Sequence, residues 1–140
     1  MPYPPLVHYD SETQYRKHFE HAYCNREIIT FDNIPVRFRK SDFDHVFYES
    51  RKSKDDTFSS KRAKRIDWIK AALEDPNSEC YVGWDNKRKK ADRRRRVVLV
   101  MKNYVVVVGI SGKCLGRFIT AFVADSGRTV QMIRKNPKWA

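Results

Sequence analysis

The chain has 140 residues, of which 41% are hydrophobic and 13% aromatic, so a single folded domain with one hydrophobic core is expected. Its 29 lysines and arginines outnumber 17 aspartates and glutamates, and the resulting net charge of +12 predicts a polyanionic partner. The sequence has no apolar run of about 18 residues and no signal-peptide pattern, so we expect a soluble cytoplasmic protein without a membrane partner.

The three cysteines are Cys24, Cys80 and Cys114, which lie far apart and lack C-x-x-C spacing. An odd number of separated cysteines argues against a disulfide framework and against a zinc site. We therefore expect free thiols, with no metal and no cofactor.

The N-terminal part of the chain predicts one helix and one hairpin. Apolar residues recur at helical spacing from Tyr15 to Ala22, which predicts a helix over about 12–23. Two short runs rich in β-branched and aromatic residues, 27–31 and 36–39, flank a turn. They predict the two arms of a β-hairpin.

The helix predicted over 59–73 carries two arginines on its apolar side. Ile66 and Ile69 belong to its apolar stripe, and Arg62 and Arg65 share the direction of Ile69 on a helical wheel. Two cations near a helix N-terminus favour an anion, because the exposed N–H groups and the helix dipole there attract negative charge. The alternative is that both side chains reach solvent or pair with carboxylates.

Four strands are predicted after this helix. They cover 79–84, 97–101, 104–108 and 115–122, and their connections predict an antiparallel meander. Residues 129–135 predict a final helix or strand. The expected fold class is therefore α+β, with an N-terminal helix and hairpin followed by an amphipathic helix packed on a four-stranded antiparallel meander sheet.

The connection between the first two of these strands is strongly basic. Residues 86–96 contain eight cations and one acid, which predicts a flexible arm that binds phosphates with little sequence preference. The alternative is that its charges protect the sheet from pairing edge to edge. The candidate nucleic-acid-binding residues are Lys61 on the helix, Lys87, Arg88, Arg93, Arg94 and Arg95 in this connection, and Lys135 near the C-terminus.

The sequence has no P-loop, no G-x-G-x-x-G, no H-E-x-x-H and no paired acid cluster for metal-dependent phosphoryl chemistry. RNA can still be cleaved without a metal, because its 2′-hydroxyl is the nucleophile and the site needs only a proton shuttle, stabilising cations and a hydrogen-bond donor. His45 is the candidate shuttle and Thr120 the candidate donor. Arg62, Arg65 and Lys61 are candidate charge stabilisers. The structural alternatives are a turn-capping role for His45 and an ordinary strand position for Thr120.

Several short segments follow one another in an order that is similar to a group of ribonucleases. They are His45, the segment Phe58–Ile69 followed by Asp75-Pro76, the strand Tyr104-Val105-Val106-Val107, the segment Phe118–Phe122 and the terminal Pro137-x-Trp139. This order resembles the phage-type members of the Barnase–EndoU–colicin–RelE-like ribonuclease superfamily. The resemblance covers about 43–139 and leaves 1–42 as an N-terminal extension within a single domain, 1–140.

The resemblance implies a helix packed on a four-stranded antiparallel sheet and metal-independent cleavage of RNA. A histidine before the helix, a basic residue on it and a Ser/Thr on the late strand recur in that superfamily, and they correspond here to His45, Arg65 and Thr120. The long basic insertion before the second strand departs from the pattern. No carboxylate clearly takes the role of catalytic base, although Glu49 is near in sequence.

Sequence and resemblance together predict an endoribonuclease of toxin or phage type. Its expected partners are RNA and an acidic antitoxin or inhibitor protein. A non-catalytic basic nucleic-acid-binding protein is the alternative, and an interaction module held by an acidic partner is a third interpretation.

Overall fold

A computed structural model describes residues 3–112 and 114–139, which form an α+β fold with helices packed on a mixed sheet. The helices are α1 (Glu12–Phe19), which continues into a π-helical turn (Glu20–Cys24), α2 (Asp42–Val46), α3 (Ser60–Ala63), α4 (Trp68–Glu74) and α5 (Gly127–Arg134). The strands are β1 (Ile28–Ile29), β2 (Pro35–Arg37), β3 (Tyr48–Glu49), β4 (Thr57–Phe58), β5 (Glu79–Asp85), β6 (Lys90–Val100), β7 (Tyr104–Ile110) and β8 (Gly116–Val123). No helix in these two ranges has the length and apolar character needed to cross a bilayer.

The main sheet has the strand order β1-β2-β8-β7-β6-β5. Strands β5 to β8 pair antiparallel in succession, whereas β2 joins β8 in parallel through the pair Val36–Gly116. The predicted four-stranded antiparallel sheet is therefore not confirmed, because the sheet formed by the described residues has six strands and is mixed. The difference arises because the N-terminal hairpin does not stand apart but extends the sheet along the edge of β8.

The N-terminal helix agrees with the expected range and begins at a capping box. The hydroxyl of Ser11 accepts a hydrogen bond from the N–H of Gln14, whose side chain accepts one from the N–H of Ser11. Tyr15, Phe19 and Tyr23 are buried along one side of this helix and its π-helical turn. The residues before 43 therefore contribute to the same core as the rest of the chain.

The single helix predicted over 59–73 is wrong, because the chain forms two short helices, α3 and α4, joined by a turn. The hydroxyl of Tyr23 donates to the carbonyl of Ile66 at 2.6 Å and accepts from the N–H of Lys70 at 3.0 Å. These two backbone groups would hydrogen-bond to each other in a continuous helix. A side chain inserted between them interrupts the helical ladder.

Hydrophobic side chains cover both faces of the sheet, but not to the same extent. On the helix face, Val106 and Phe118 pack with residues of α1, α2 and α4. On the opposite face, here called the α5 face, Leu99 and Val105 pack with Val130 of α5. This second cluster is small, because α5 covers only part of the α5 face of the sheet. The rest of that face carries solvent-exposed side chains.

The basic connection is mostly strand rather than a flexible arm. Strand β6 begins at Lys90, which pairs with Asp85, so only 86–89 form the hairpin turn. Further along, 93–95 have no partner on β5 and form a bulge. Gly83 permits this bulge, because a Cβ atom there would lie 2.6 Å from the Cβ of Arg95.

An ion pair between a buried arginine and an exposed aspartate connects the β1–β2 turn to β6. Arg96 is only 2% exposed, and its Nη1 donates to both carboxylate oxygens of Asp32 at 3.1 and 2.9 Å. The guanidinium also lies over the rings of Phe31 and Trp139. Partial burial opposes ionisation of Asp32, but hydrogen bonds from Thr30 and Arg96 outweigh it and lower the pKa of the carboxyl below its ordinary value.

Replacing Asp32 with asparagine removes the counter-ion of the Arg96 guanidinium. We expect the free energy of unfolding at neutral pH to fall by about 2 kcal/mol, less than for a fully buried pair because the Asp32 side chain is 36% exposed. The folded-state pKa of Asp32 is lowered, so its stabilisation is present above the unfolded-state pKa and is lost as the pH falls through the folded-state pKa.

Urea titrations of wild type and Asp32→Asn across this pH range measure the effect, and the gap between the two proteins should close in acid. Asp10→Asn, at an exposed aspartate, is the matched control and should behave like the wild type. Equal stability of Asp32→Asn and wild type at neutral pH would contradict the importance of the pair.

Gly116 tests the parallel contact of β2 with β8. A Cβ atom at Gly116 would lie 2.9 Å from Cγ2 of Val36 and 3.2 Å from the carbonyl oxygen of Pro35. We expect Gly116→Ala to lower the free energy of unfolding in urea by about 1 to 3 kcal/mol through overpacking. Gly112→Ala is the control, because no atom would lie within 4 Å of its Cβ, and equal stability of the two variants would contradict the pairing.

Candidate functional site

One cleft gathers several of the polar residues selected from the sequence. Its volume is about 750 Å³, and it lies between α2, the β3–β4 loop, α3 and the edge of β8. Only the first two residues of β8, Gly116 and Arg117, pair with β2, which leaves the later edge of β8 open toward this cleft. The polar side chains lining it include His45, Glu49, Asp55, Lys61, Arg62, Arg65 and Thr120.

His45 points into the cleft because its neighbours in sequence are fixed in the core. Phe43, Val46 and Phe47 are at most 1% exposed, so one side of α2 is buried. His45 lies on the other side of this short helix, and its side chain is 46% exposed. Its Nδ1 lies 3.0 Å from Oδ2 of Asp55.

The loop between β3 and β4 presents Asp55 to His45. The carboxylate of Asp56 accepts hydrogen bonds from the N–H groups of 51–53, and these bonds lower the pKa of Asp56 below its ordinary value. The N–H of Asp55 donates to Oγ of Ser50 at 2.9 Å. Asp55 itself has a φ of 51°, in the left-handed region, so these contacts hold a backbone conformation that is unfavourable for most residues.

The contact between His45 and Asp55 favours one tautomer of the imidazole, the one with the proton on Nδ1. When Nδ1 donates its proton to the carboxylate, Nε2 is the nitrogen that can accept a proton from a ligand. Asp55 was not among the residues selected from the sequence. The charged stretch 51–56 contains two adjacent acids, Asp55 and Asp56, and its pattern does not distinguish the one that faces His45.

Three cations from α3 and the following turn, Lys61, Arg62 and Arg65, form another wall of the cleft. Nη1 of Arg62 donates to the carbonyl oxygen of Tyr48 at 3.0 Å, and Nη1 of Arg65 donates to that of Lys61 at 3.0 Å. The buried Nε of Arg65 has no hydrogen-bond partner among the described residues. Carbonyl oxygens orient these two guanidiniums, and the wall presents positive charge suited to an anion. The cleft is also lined by the acids Glu49, Asp55 and Asp125.

Glu49 is the carboxylate that the sequence offered as a base. Its pKa is lowered by a hydrogen bond from the Ser59 side chain and by the charges of Arg51 and Arg62. A carboxylate with a lowered pKa remains ionised at neutral pH and is a weak proton acceptor. Glu49 is therefore better suited to balance the charge of the neighbouring arginines than to act as a catalytic base.

Thr120 borders the cleft from the opposite side of the sheet. It pairs with Val107, whose side chain belongs to the α5 face. Arg65 lies on the helix face, because it packs on Trp68, whose ring contacts Tyr104 in the main core. Thr120 therefore reaches the cleft at the strand edge and does not share a wall with the arginines.

The other nucleic-acid-binding candidates lie outside the cleft, and all are exposed. Lys87 and Arg88 are in the β5–β6 turn, Arg93, Arg94 and Arg95 are in the bulge of β6, and Lys135 follows α5. Within 3–112 and 114–139, no three or more His, Cys, Asp or Glu side chains are grouped so that they could hold a metal ion.

Comparison with protein-family models, curated proteins and solved structures finds no match to this chain. Function is therefore inferred from the geometry and charge of its own residues.

The cation wall should bind a small oxyanion. We expect inorganic phosphate to raise the free energy of unfolding by about 1.4 kcal/mol at roughly ten times its dissociation constant. Arg62→Gln/Arg65→Gln should lose most of this gain, because both guanidiniums face the cleft. The measurement is thermal unfolding with phosphate or with chloride at the same ionic strength.

Lys17→Gln/Lys70→Gln removes the same charge from exposed positions on α1 and α4 and is the control. An equal response of both double variants to phosphate would show that net charge, rather than the cleft, binds the anion.

Proposed function

We propose that the protein is a metal-independent endoribonuclease that cleaves RNA in the cleft through attack of a 2′-hydroxyl on the adjacent phosphodiester. The observation that carries the proposal is the His45–Asp55 pair in a cleft that is also lined by Lys61, Arg62 and Arg65. An oriented proton acceptor and a cluster of cations are two of the components that this reaction requires.

His45 is the proton shuttle in this scheme. Its Nε2 accepts the proton of the 2′-hydroxyl as that oxygen attacks phosphorus, and Asp55 stabilises the imidazolium that forms. The bond from phosphorus to the 5′-oxygen then breaks, and the departing oxygen takes the proton from His45. The products are a 2′,3′-cyclic phosphate and a free 5′-hydroxyl, and no proton is gained or lost.

The cations stabilise the charge that builds up on phosphorus during the attack. A planar guanidinium can direct two N–H groups at phosphate oxygens, and the side chain of Arg65 lines the cleft. Arg62 and Lys61 add positive charge beside it. Thr120, at the strand edge, is placed to contact RNA next to the scissile phosphate rather than the reacting atoms.

Two further considerations support RNA as the substrate. The net charge of +12 attracts a polyanion over a long range. The resemblance of 43–139 to phage-type Barnase–EndoU–colicin–RelE-like ribonucleases points to the same reaction. A nuclease of toxin or phage type needs control in its host, and we propose that an acidic antitoxin or inhibitor protein binds the wall of the cleft formed by Lys61, Arg62 and Arg65.

A non-catalytic nucleic-acid-binding protein is the second candidate. It is favoured by one specific observation, namely the exposed Arg93, Arg94 and Arg95 in a bulge outside the cleft. Such a protein would bind RNA without cutting it, so a cleavage assay separates the two functions.

The wild type should cleave RNA in the presence of EDTA and should leave DNA of the same sequence intact, because DNA lacks the 2′-hydroxyl. We expect His45→Ala to lower the cleavage rate by about 10²- to 10⁴-fold, since it removes the proton shuttle. Arg65→Gln should lower the rate by about 10²-fold through lost charge stabilisation. Gel electrophoresis of end-labelled RNA, with detection of cyclic phosphate ends, measures both effects.

His21→Ala is the matched control, because His21 is an exposed histidine on the π-helical turn. It should cleave like the wild type. Binding of RNA by the wild type without cleavage would rule out the nuclease in favour of the second candidate.

A further inference from the structure

Outside the cleft, the strand register places arginines in a row on the α5 face. Arg95, Gly109, Arg117 and Arg37 lie side by side on β6, β7, β8 and β2. Paired residues in a sheet project from the same face, so the three arginines point the same way. Gly109 has no side chain, and the strands bearing Arg95 and Arg117 are about 10 Å apart. We call Arg37, Arg95 and Arg117 the arginine row.

Two members of this row form no ion pair within the described part of the chain, although the acids Glu27 and Asp92 also line the groove beside them. Arg37 pairs with Glu27 at 2.9 Å, whereas Arg95 and Arg117 form no ion pair with any residue of the described ranges. Both are exposed and line a groove of about 590 Å³. Arg95 and Arg117 flank Gly109, which has no side chain, so an anion can bind between the two arginines.

The groove continues into a recess that contains a tryptophan. This recess has a volume of about 340 Å³, is lined by Arg93, Arg94 and Trp139, and shares Arg94 with the groove. The backbone N–H of Trp139 donates to the carbonyl oxygen of Cys80 at 2.9 Å, which holds this part of the chain beside β5. The bulge of β6 brings Arg93 and Arg94 to the same recess, so cations lie beside an aromatic ring. The guanidinium of Arg96 covers one face of the Trp139 ring, so a ligand has the other face to stack on.

We propose that the groove and the recess form a second binding surface, which takes single-stranded nucleic acid with phosphates on the arginine row and a base stacked on Trp139. The recess distinguishes this ligand from an acidic protein, because a carboxylate-rich segment needs cations but no stacking platform. Stacking on an indole also requires an unpaired base, which favours a single strand over a duplex.

The identity of this strand as RNA rests on the proposed function. Arg117 of the row and Thr120 of the cleft are three residues apart on β8, a distance of about 10 Å along the strand. One RNA chain can therefore contact the groove and the cleft together. The surface binds RNA next to the scissile phosphate, and its contacts do not take part in the chemical step.

Fluorescence anisotropy with a labelled 2′-O-methyl RNA oligonucleotide tests the surface, because this probe lacks the nucleophile and is not cleaved. We expect Arg95→Gln/Arg117→Gln to weaken binding about tenfold and to reduce the slope of log affinity against log salt by about 1.4, as for two phosphate contacts on a single strand. Trp139→Ala should weaken binding about tenfold with an unchanged slope. The control Lys17→Gln/Lys70→Gln should remain within about twofold of wild type.

Three results would each overturn the proposal. The first is an unchanged affinity and salt slope for Arg95→Gln/Arg117→Gln. The second is equal binding of a duplex probe together with no effect of Trp139→Ala. The third is displacement of the probe by polyglutamate as effectively as by unlabelled oligonucleotide. Cleavage of unmodified RNA is measured in parallel. His45→Ala should stop cleavage while it keeps the affinity for the probe, so failure of the nuclease is distinguished from failure of this surface.

Discussion

A cluster of buried phenylalanines determines where the cleft residues meet. The ring of Phe19 contacts those of Phe43 and Phe47 at centroid distances of 5.9 and 5.8 Å, and Phe58 stacks on Phe43 at 6.0 Å. These rings come from α1, from α2 and the residue after it, and from β4, so their burial joins three separate parts of the chain. His45 lies between two of them in sequence and is thereby held beside α3, which begins just after Phe58.

The cleft combines features that favour ligand binding over stability. Lys61, Arg62 and Arg65 are close together, and Asp55 adopts a left-handed backbone conformation. Mutual repulsion and backbone strain both lower stability unless a ligand or other contacts compensate, and such groups are typical of functional sites. The phenylalanine cluster is a suitable support, because it keeps α2 and α3 in place when the cleft is empty.

Local patterns in the sequence were sufficient for some features and not for others. The helix that starts at Glu12 follows from the periodicity of its apolar residues. His45 and Arg65 line one cleft, as expected from the sequence. The break between α3 and α4 does not follow from local patterns, because it depends on the hydroxyl of Tyr23, which is far away in sequence. The same holds for the parallel pairing at Gly116 and for the carboxylate of Asp55, since long-range packing decides both.

The most direct test of the central claim is a double-mutant cycle on the single-turnover rate of RNA cleavage with His45→Ala and Asp55→Asn. If the carboxylate acts only through the imidazole, Asp55→Asn slows the wild type but has no further effect on the His45→Ala variant. An equal slowing of both backgrounds by Asp55→Asn would contradict the account, because the two residues would then act independently.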